Sequence, residues 1–408
     1  MRIALISYEY PPAVAIGGIG TYAGQASTML TMAGHSVEVF AAGPPQPEPA
    51  ETLGVRVHRI AVPSRSSFRS ALAPCFLERH RQEAFDVWES PELSAEAEPL
   101  LKLAPEVARV VKLHTSSHLL AQIGHEPPTW AQHARFSLGA LRRGRLAVLP
   151  TVRSDQEWER ERAFTLQADE VAAPSQAIGD RITADWGLNP AQVAVFPNPF
   201  TPAPGLLELP LPEAVGTVGF LGRLETRKGI FEFAEALRPL LRRHPFLNVR
   251  FIGPSWPTQR GEAERWLRRY LHHFINRVTF TGGIASSALA RELGVCDVVV
   301  LPSRWESFGL VCAESMAAGR VVIGSSAGGM AEQIEHGHSG LLVPPRSPGA
   351  ITAALEALIE QPALVAPMAA AARQRVLTHL APERILPLQL ASYQRAIERA
   401  RQRQTSLC

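Results

Sequence analysis

The chain has 408 residues, 46% hydrophobic and 19% charged, with a formal charge of +3. That length exceeds one ordinary core and predicts two domains. The composition is that of a soluble globular protein, the charge calls for no nucleic-acid partner, and no run of about 18 apolar residues offers a membrane span.

The opening MRIALISYEYPP turns polar after a short apolar run, so a secretory signal is not expected. Cys75, Cys296, Cys312 and Cys408 lack metal-ligand spacing and are expected as free thiols, which points to a cytoplasmic protein.

Strands and helices alternate almost throughout. Strands are predicted at Arg2–Ser7, Val37–Ala41, Val55–Ile60, Phe85–Glu89, Val107–His114, Glu170–Ala173 and Gln192–Phe196. Helices fit between them, among them Gly20–Ala33, Ser154–Gln167 and Ser175–Trp186. The segment FPNPFTPAPGLLELPLPE then carries six prolines, which interrupt both ladders and helices and read as an interdomain linker. A second set follows, with strands at Thr217–Leu221, Asn248–Ile252, Val278–Thr281, Asp297–Leu301, Val321–Gly324 and Gly340–Val343. Its helices include Gly229–Arg243, Thr258–His273, Val311–Ala318 and Gly349–Glu360, and a helical stretch from Pro382 to about Gln402 closes the chain. Such alternation implies α/β architecture, with parallel sheets and right-handed crossovers.

Ligands bind where loops leave the carboxyl ends of parallel strands. Five segments are placed to do so. In PSRWESFGLVCAE, Glu306 and Glu314 stand eight residues apart across a strand-to-helix junction, beside the amides of Ser307, Phe308, Gly309 and Leu310. Carboxylates accept from hydroxyls and helix-start amides donate to anions, although either glutamate alone reads as a common helix cap. In GFLGRLETRKGI, Arg223 and Lys228 leave the loop after a strand, with Gly222 at its turn. A cation opening a helix opposes the helix dipole, so a bound diphosphate explains it; a salt bridge to Glu225 is the plainer alternative.

The loop YEYPPAVAIGGIGTYAGQ carries Gly17 and Gly18 ahead of a helix, a plausible anion or sugar cradle or else a bare surface loop. It is a poor dinucleotide fingerprint. Ten residues, two of them prolines, separate Ser7 from Gly18, and Glu38 falls inside its strand instead of at the end. In SSAGGMAEQIEHGHSGLLVPP, Gly328 and Gly329 are expected to let backbone approach a ligand, with Glu332 at the next helix start. His114 ends a buried strand in VVKLHTSSHLL, where it is either a cleft residue or a satisfied core group, with His118 a weaker candidate. The basic segments Leu141–Leu146 and Arg265–Arg277 read as solvated helix faces, with contact to a membrane surface or anionic acceptor left open.

Together, YPPAVAIGGIGTY, GRLETRKG, the Glu306/Glu314 pair and GGMAEQIEHGHSGLLV occur in an order that resembles the retaining glycosyltransferases of family 4, also called glycosyl transferases group 1. The resemblance covers most of the chain. It implies a GT-B fold, with two Rossmann-like domains facing across a cleft: residues 1–200 on the acceptor side and 201–381 on the nucleotide-sugar donor side. The helix at about 382–408 would return to the N-terminal domain. It further implies that Arg223 and Lys228 hold the donor diphosphate, and that Glu314 grips the ribose hydroxyls. Glu306, with the amides of Phe308, Gly309 and Leu310, would hold the donor sugar. Gly17 and Gly18 would border it from the other domain, and His114 would stand beside the transferred group. The acceptor side cannot be carried over; Glu89 and Glu92 in WESPE are the residues expected to face it.

The implied reaction moves a hexosyl group from a nucleoside-diphosphate sugar to a hydroxyl of a glycan, lipid-linked sugar or small molecule, with no metal and no other cofactor. No DxD-like pair stands at a strand end. No carboxylate is evident as a nucleophile, so attack on the leaving-group face is favoured over the two-step route of retaining glycosidases. A GT-B epimerase or hydrolase, or a non-catalytic nucleotide-sugar-binding protein, is the alternative. Peripheral contact with the inner face of the membrane, and the oligomeric state, are left open.

Overall fold

The computed structural model describes residues 1–14, 17–44, 50–52, 54–124 and 156–405. The first sheet contains β1 (Arg2–Ile6), β2 (Ser36–Ala42), β3 (Ala50–Thr52), β4 (Val55–Ile60), β5 (Val87–Pro91), β6 (Ala108–Lys112), β7 (Glu170–Ala173) and β8 (Val193–Val195). Their order is β3-β4-β2-β1-β5-β6-β7-β8, parallel except that β3 runs antiparallel to β4 at the edge. The second sheet contains β9 (Thr217–Leu221), β10 (Asn248–Ile252), β13 (Val278–Phe280), β14 (Val298–Leu301), β15 (Val321–Ser325) and β16 (Leu341–Val343). It is parallel, in the order β13-β10-β9-β14-β15-β16; a short hairpin, β11 (Pro257–Thr258) and β12 (Gly261–Glu262), stands apart.

In both sheets the order reverses beside the first strand of the set, β1 or β9, and such a switch point opens a crevice at the carboxyl ends of the strands. β14 is buried on both faces, which is why it reads as an unbroken apolar run, Val298-Val-Val-Leu301, with every residue covered. The two-sheet α/β architecture expected from the alternation is present.

Two expectations are corrected. A single helix over Thr258–His273 does not form. Gly261, at φ +92, turns the β11–β12 hairpin, and the helix begins only at Ala263, ending at Tyr270 before a 3-10 segment. In it Ala263 and Leu267 face the core while Arg265, Arg268 and Arg269 are exposed. The other basic segment, Leu141–Leu146, lies outside the described residues. The proline-rich segment from Phe196 to Glu213 has no helix or strand, as expected, but it is packed. Leu206 is buried among Leu221, Val299 and Leu301, and Arg373 Nη2 donates to the Leu209 carbonyl at 2.7 Å.

The last helix, Pro382–Thr405, lies on the first sheet. Tyr393, Ala396 and Ala400 join Ile3, Val110 and Ala172 in one core. Three arginines at helical spacing, Arg395, Arg399 and Arg403, pair with the adjacent carboxylates Glu170 and Asp169 at the start of β7. The alternating register of apolar and basic residues thus fixes which face docks and where.

Candidate active site

The loop after β9 turns at Gly222, whose φ of +133 suits glycine and whose Cα faces open space. Arg223 follows, its guanidinium 5.3 Å above the Trp256 ring and 3.5 Å from Glu225. Lys228 was expected to open a helix. It closes a 3-10 turn, Thr226–Lys228, and the helix Ile230–Arg243 begins only after Gly229. Gly229 has φ +72, and a Cβ there would lie 2.0 Å from the Pro302 carbonyl oxygen, so only glycine lets this loop close on the one after β14.

That close approach brings Lys228 Nζ to 2.5 Å from Glu306 Oε1. Arg227, absent from the sequence-based candidates, completes the cluster: Nη1 lies 3.5 Å from Glu306 and Nη2 2.8 Å from Glu225. Burial alone would raise the Glu306 carboxyl, but Lys228 and Arg227 outweigh it and hold it down at about 2. Burial, with Arg227 alongside, lowers the Lys228 ammonium despite Glu306. The Glu225 salt bridge, the plainer reading of this loop, does form with Arg223 and Arg227, while Lys228 takes Glu306.

Beyond Glu306, the Ser307 hydroxyl lies 3.1 Å from Thr115 Oγ1 and the Ser307 carbonyl accepts from Ser175 Oγ at 2.6 Å, both from the first-sheet side. Phe308 is buried, and Gly309 (φ +90) caps the helix Leu310–Ala317 without a side-chain bond. Among the described residues no protein acceptor takes the amides of Phe308, Gly309 or Leu310. They are free donors at a positive helix end. Glu314, on the same short helix, is partly exposed, and its carboxylate has no hydrogen bond or ion pair among the described residues. Burial raises it to about 7.

Across from these, Gly17 caps the helix Gly18–Met32, also without a side-chain bond. A Cβ on Gly18 would stand 3.5 Å from Leu310 Cδ1, so the glycine loop and the donor-loop helix face each other at contact distance. His114, just past β6, donates its backbone N–H to Glu92 at 2.8 Å and sets its ring 5.4 Å from Tyr22. Burial, then Lys112 and Arg65, lower its imidazole to about 3, so it is neutral at physiological pH. No described residue hydrogen-bonds the ring.

The remaining expected residues are placed as follows. Glu89 is 3% exposed, and its oxygens accept from Tyr22 at 2.7 Å and from Tyr393 at 2.9 Å, so it anchors the last helix. Glu92 is fully buried beneath His114, and burial raises it to about 8. His118 lies with Nε2 2.7 Å from the Gln122 side chain and its ring 5.1 Å from Trp158. Gly328 and Gly329 approach protein instead of leaving space for a ligand: Cβ atoms there would lie 2.1 Å from the Glu306 carbonyl and 2.2 Å from that of Ser307. Glu332 accepts from the amides of Gln176 and Ala177 at 3.0 and 2.9 Å, capping a first-sheet helix from across the cleft. Sequence spacing could not show that these groups close on their own chain. Among the described residues no cluster of three or more His, Cys, Asp or Glu is arranged for a metal.

The geometry therefore offers free amides, cations and an unpartnered carboxylate at the mouth of one sheet, with a glycine loop and a neutral histidine opposite. That combination suits an anionic ligand bearing hydroxyls.

Comparison with known proteins agrees. The family model described as "Glycosyltransferase Family 4" matches residues 16–203, and that described as "Glycosyl transferases group 1" matches residues 208–375. The chain is 28% identical to a glycogen synthase of Mycobacterium tuberculosis over 92% of this chain and 90% of that one. It is 27% identical to a D-inositol 3-phosphate glycosyltransferase of Gordonia bronchialis over 97% and 89%. In fold it is similar to sucrose-phosphate synthase from Thermosynechococcus elongatus, with TM-score 0.73 and 23% identity over 96% of this chain and 98% of that one.

Proposed function

The chain belongs to the family 4, group 1 glycosyltransferases, a glycosyltransferase of GT-B fold using nucleotide-sugar donors, and we propose that it transfers a hexosyl group to an acceptor hydroxyl with retention and without a metal. The observation that carries this reading is the close approach of Gly18 to Leu310 across the cleft, where a Cβ on Gly18 would stand 3.5 Å from Leu310 Cδ1. It puts the glycine loop against the helix start that carries the free amides and Glu314.

In this reading the donor diphosphate lies between that loop and Arg223 and Lys228, with the amides of Phe308–Leu310 at the sugar end and Glu314 on the ribose. The donor's C1–O bond breaks while the acceptor oxygen bonds C1 on the same face. The acceptor proton passes to the departing phosphate oxygen. Negative charge grows on that phosphate, and preorganised donors aimed at such charge are worth about 3–4 kcal/mol each. Glu306, held ionised, anchors Lys228 in place for this task and leaves little of its own charge for a covalent intermediate. His114, neutral, is suited to a hydrogen bond with the transferred sugar. The acceptor class (saccharide, lipid-linked sugar or small molecule) is set on the first-sheet side.

The test is transfer from an α-linked nucleotide sugar to a saccharide acceptor in the presence of a chelator, with the product's anomeric configuration read by NMR. An α product formed at an undiminished rate supports the proposal. A β product would overturn retention, and loss of activity with the chelator would overturn metal independence.

A further inference from the structure

The chain crosses between the two sheets twice, after Pro197 and again near Leu380, and the Phe200 amide donates to the Leu380 carbonyl at 2.8 Å to tie the crossings together. Beside this tie is a cavity of about 240 Å³. None of Gly17, His114, Arg223, Lys228, Glu306 or Glu314 lines it, so it is not the proposed donor pocket, although Phe308 and Glu332 lie on its wall. Its size is far above the ~10–15 Å³ that one water requires.

Its walls have two characters. Pro197, Val376 and Ile385 give an apolar floor, and the exposed Leu388 stands at the mouth. Arg375 and Arg384 stand at the edge; Arg375 donates to the Gln333 carbonyl at 2.7 Å and pairs with Glu335 at 3.4 Å, whereas the exposed guanidinium of Arg384 meets no carboxylate among the described residues. The carboxylate of Glu332, also at the wall, is turned to the amides of Gln176 and Ala177. The roof is Phe308 and Gln333. Gln333 is 7% exposed; its Nε2 donates to the Phe308 carbonyl at 2.5 Å, whereas its Oε1 is buried with no partner. A buried acceptor left unpaired is costly, and a ligand N–H or O–H would relieve it.

We propose that this hinge cavity is a second binding site, for a small apolar-bodied anion that also carries one hydrogen-bond donor, and that its occupancy is coupled to the donor loop through Phe308. The apolar body lies on Val376 and Leu388, the acid meets Arg384, and the donor meets Gln333 Oε1. Phe308 is shared by both sites, since its residue forms the cavity roof and its amide is free at the donor-loop helix start. Because the cavity touches segments from both sides of the double crossing, a bound ligand favours the domain arrangement that fits it, and affinity at the two sites is linked reciprocally.

The probe is 8-anilinonaphthalene-1-sulfonate, an aromatic monoanion with one N–H, titrated by fluorescence and calorimetry into the full chain. Expected is one saturable site that persists when the cleft is filled with whichever of UDP, GDP or ADP binds, its affinity shifted at least twofold by that nucleotide. Arg384→Glu weakens the probe at least fivefold. Leu388→Trp, which fills the mouth from an exposed position, abolishes it, with the melting temperature of both variants unchanged. Binding indifferent to both substitutions, or displaced by the nucleotide, overturns the proposal. An unshifted affinity overturns the coupling. If no nucleotide binds, the donor assignment fails on its own, and the two variants still decide the cavity.

Discussion

Lys228 Nζ lies 2.5 Å from Glu306 Oε1, with the Arg227 guanidinium on the same oxygen at 3.5 Å. The cation proposed to meet the leaving phosphate is thus held by a carboxylate from the loop after the neighbouring strand β14. Lys228→Ala is expected to cut transfer at least ~100-fold, about 2.7 kcal/mol, with the fold intact. Glu306→Ala should cut it as much and also destabilise the protein by about 3 kcal/mol, because the buried Lys228 ammonium loses its partner while Arg227 keeps Glu225. Kinetics and thermal melts of the two single variants and the double variant check this. Independent, additive effects would show that the pair does not work as a unit.

Glu314 gives a pH signature. Burial raises its folded-state carboxyl to about 7, above the ordinary value of 4.5. The folded state therefore holds the proton more tightly, and unliganded stability falls as pH rises from about 4.5 towards 7 and then levels. In the proposed donor site the ionised form accepts from the ribose hydroxyls, so nucleotide affinity is expected to rise over the upper part of that window. Glu314→Gln should flatten both profiles, read as Tm against pH and Kd against pH. Unchanged slopes would remove Glu314 from the ribose.

Trp256 was not among the residues expected to act. Its ring lies 5.3 Å beneath the Arg223 guanidinium, an interaction worth about 0.5–1 kcal/mol at an exposed site. Trp256→Ala should raise the donor KM about twofold to fivefold with kcat nearly constant, and Trp256→Phe should restore most of it. A fall in kcat with KM unchanged would contradict a role confined to placing Arg223.

Glu89, bonded to Tyr22 and Tyr393, now has a different assignment from the acceptor role expected of it. Tyr393→Phe is expected to lower stability by about 1–2 kcal/mol, the cost of leaving a buried carboxylate oxygen underbonded. The acceptor KM should stay constant. A changed acceptor KM at constant Tm would return Glu89 to the substrate side.

The fold was legible because the signals that set it are local and periodic. The strands β4, β7, β9 and β10 have the limits predicted for them, and the glycines and cations of the donor loops stand where strand ends place them. What the sequence hides is which partner a polar group finds. Glu89, Glu92, Glu332 and the Gly328–Gly329 pair all lie beside strand ends, as ligand-binding residues do, yet each meets a segment far along the chain. Arg227 escaped notice for the same reason, since Glu306 is 79 residues away. The hairpin at Pro257–Glu262 was obscured by a strongly amphipathic helix following it without a break.

The most direct test is a thermal-shift screen of UDP, GDP, ADP and their sugar conjugates, with NAD as control, on the wild-type chain and on Glu314→Ala and Lys228→Ala. The account predicts a clear upward shift with one nucleotide family, lost or much reduced in both variants, and none with NAD. A shift that survives both substitutions, or no shift with any nucleoside diphosphate, would contradict the placement of the donor between the glycine loop and the helix that starts at Leu310.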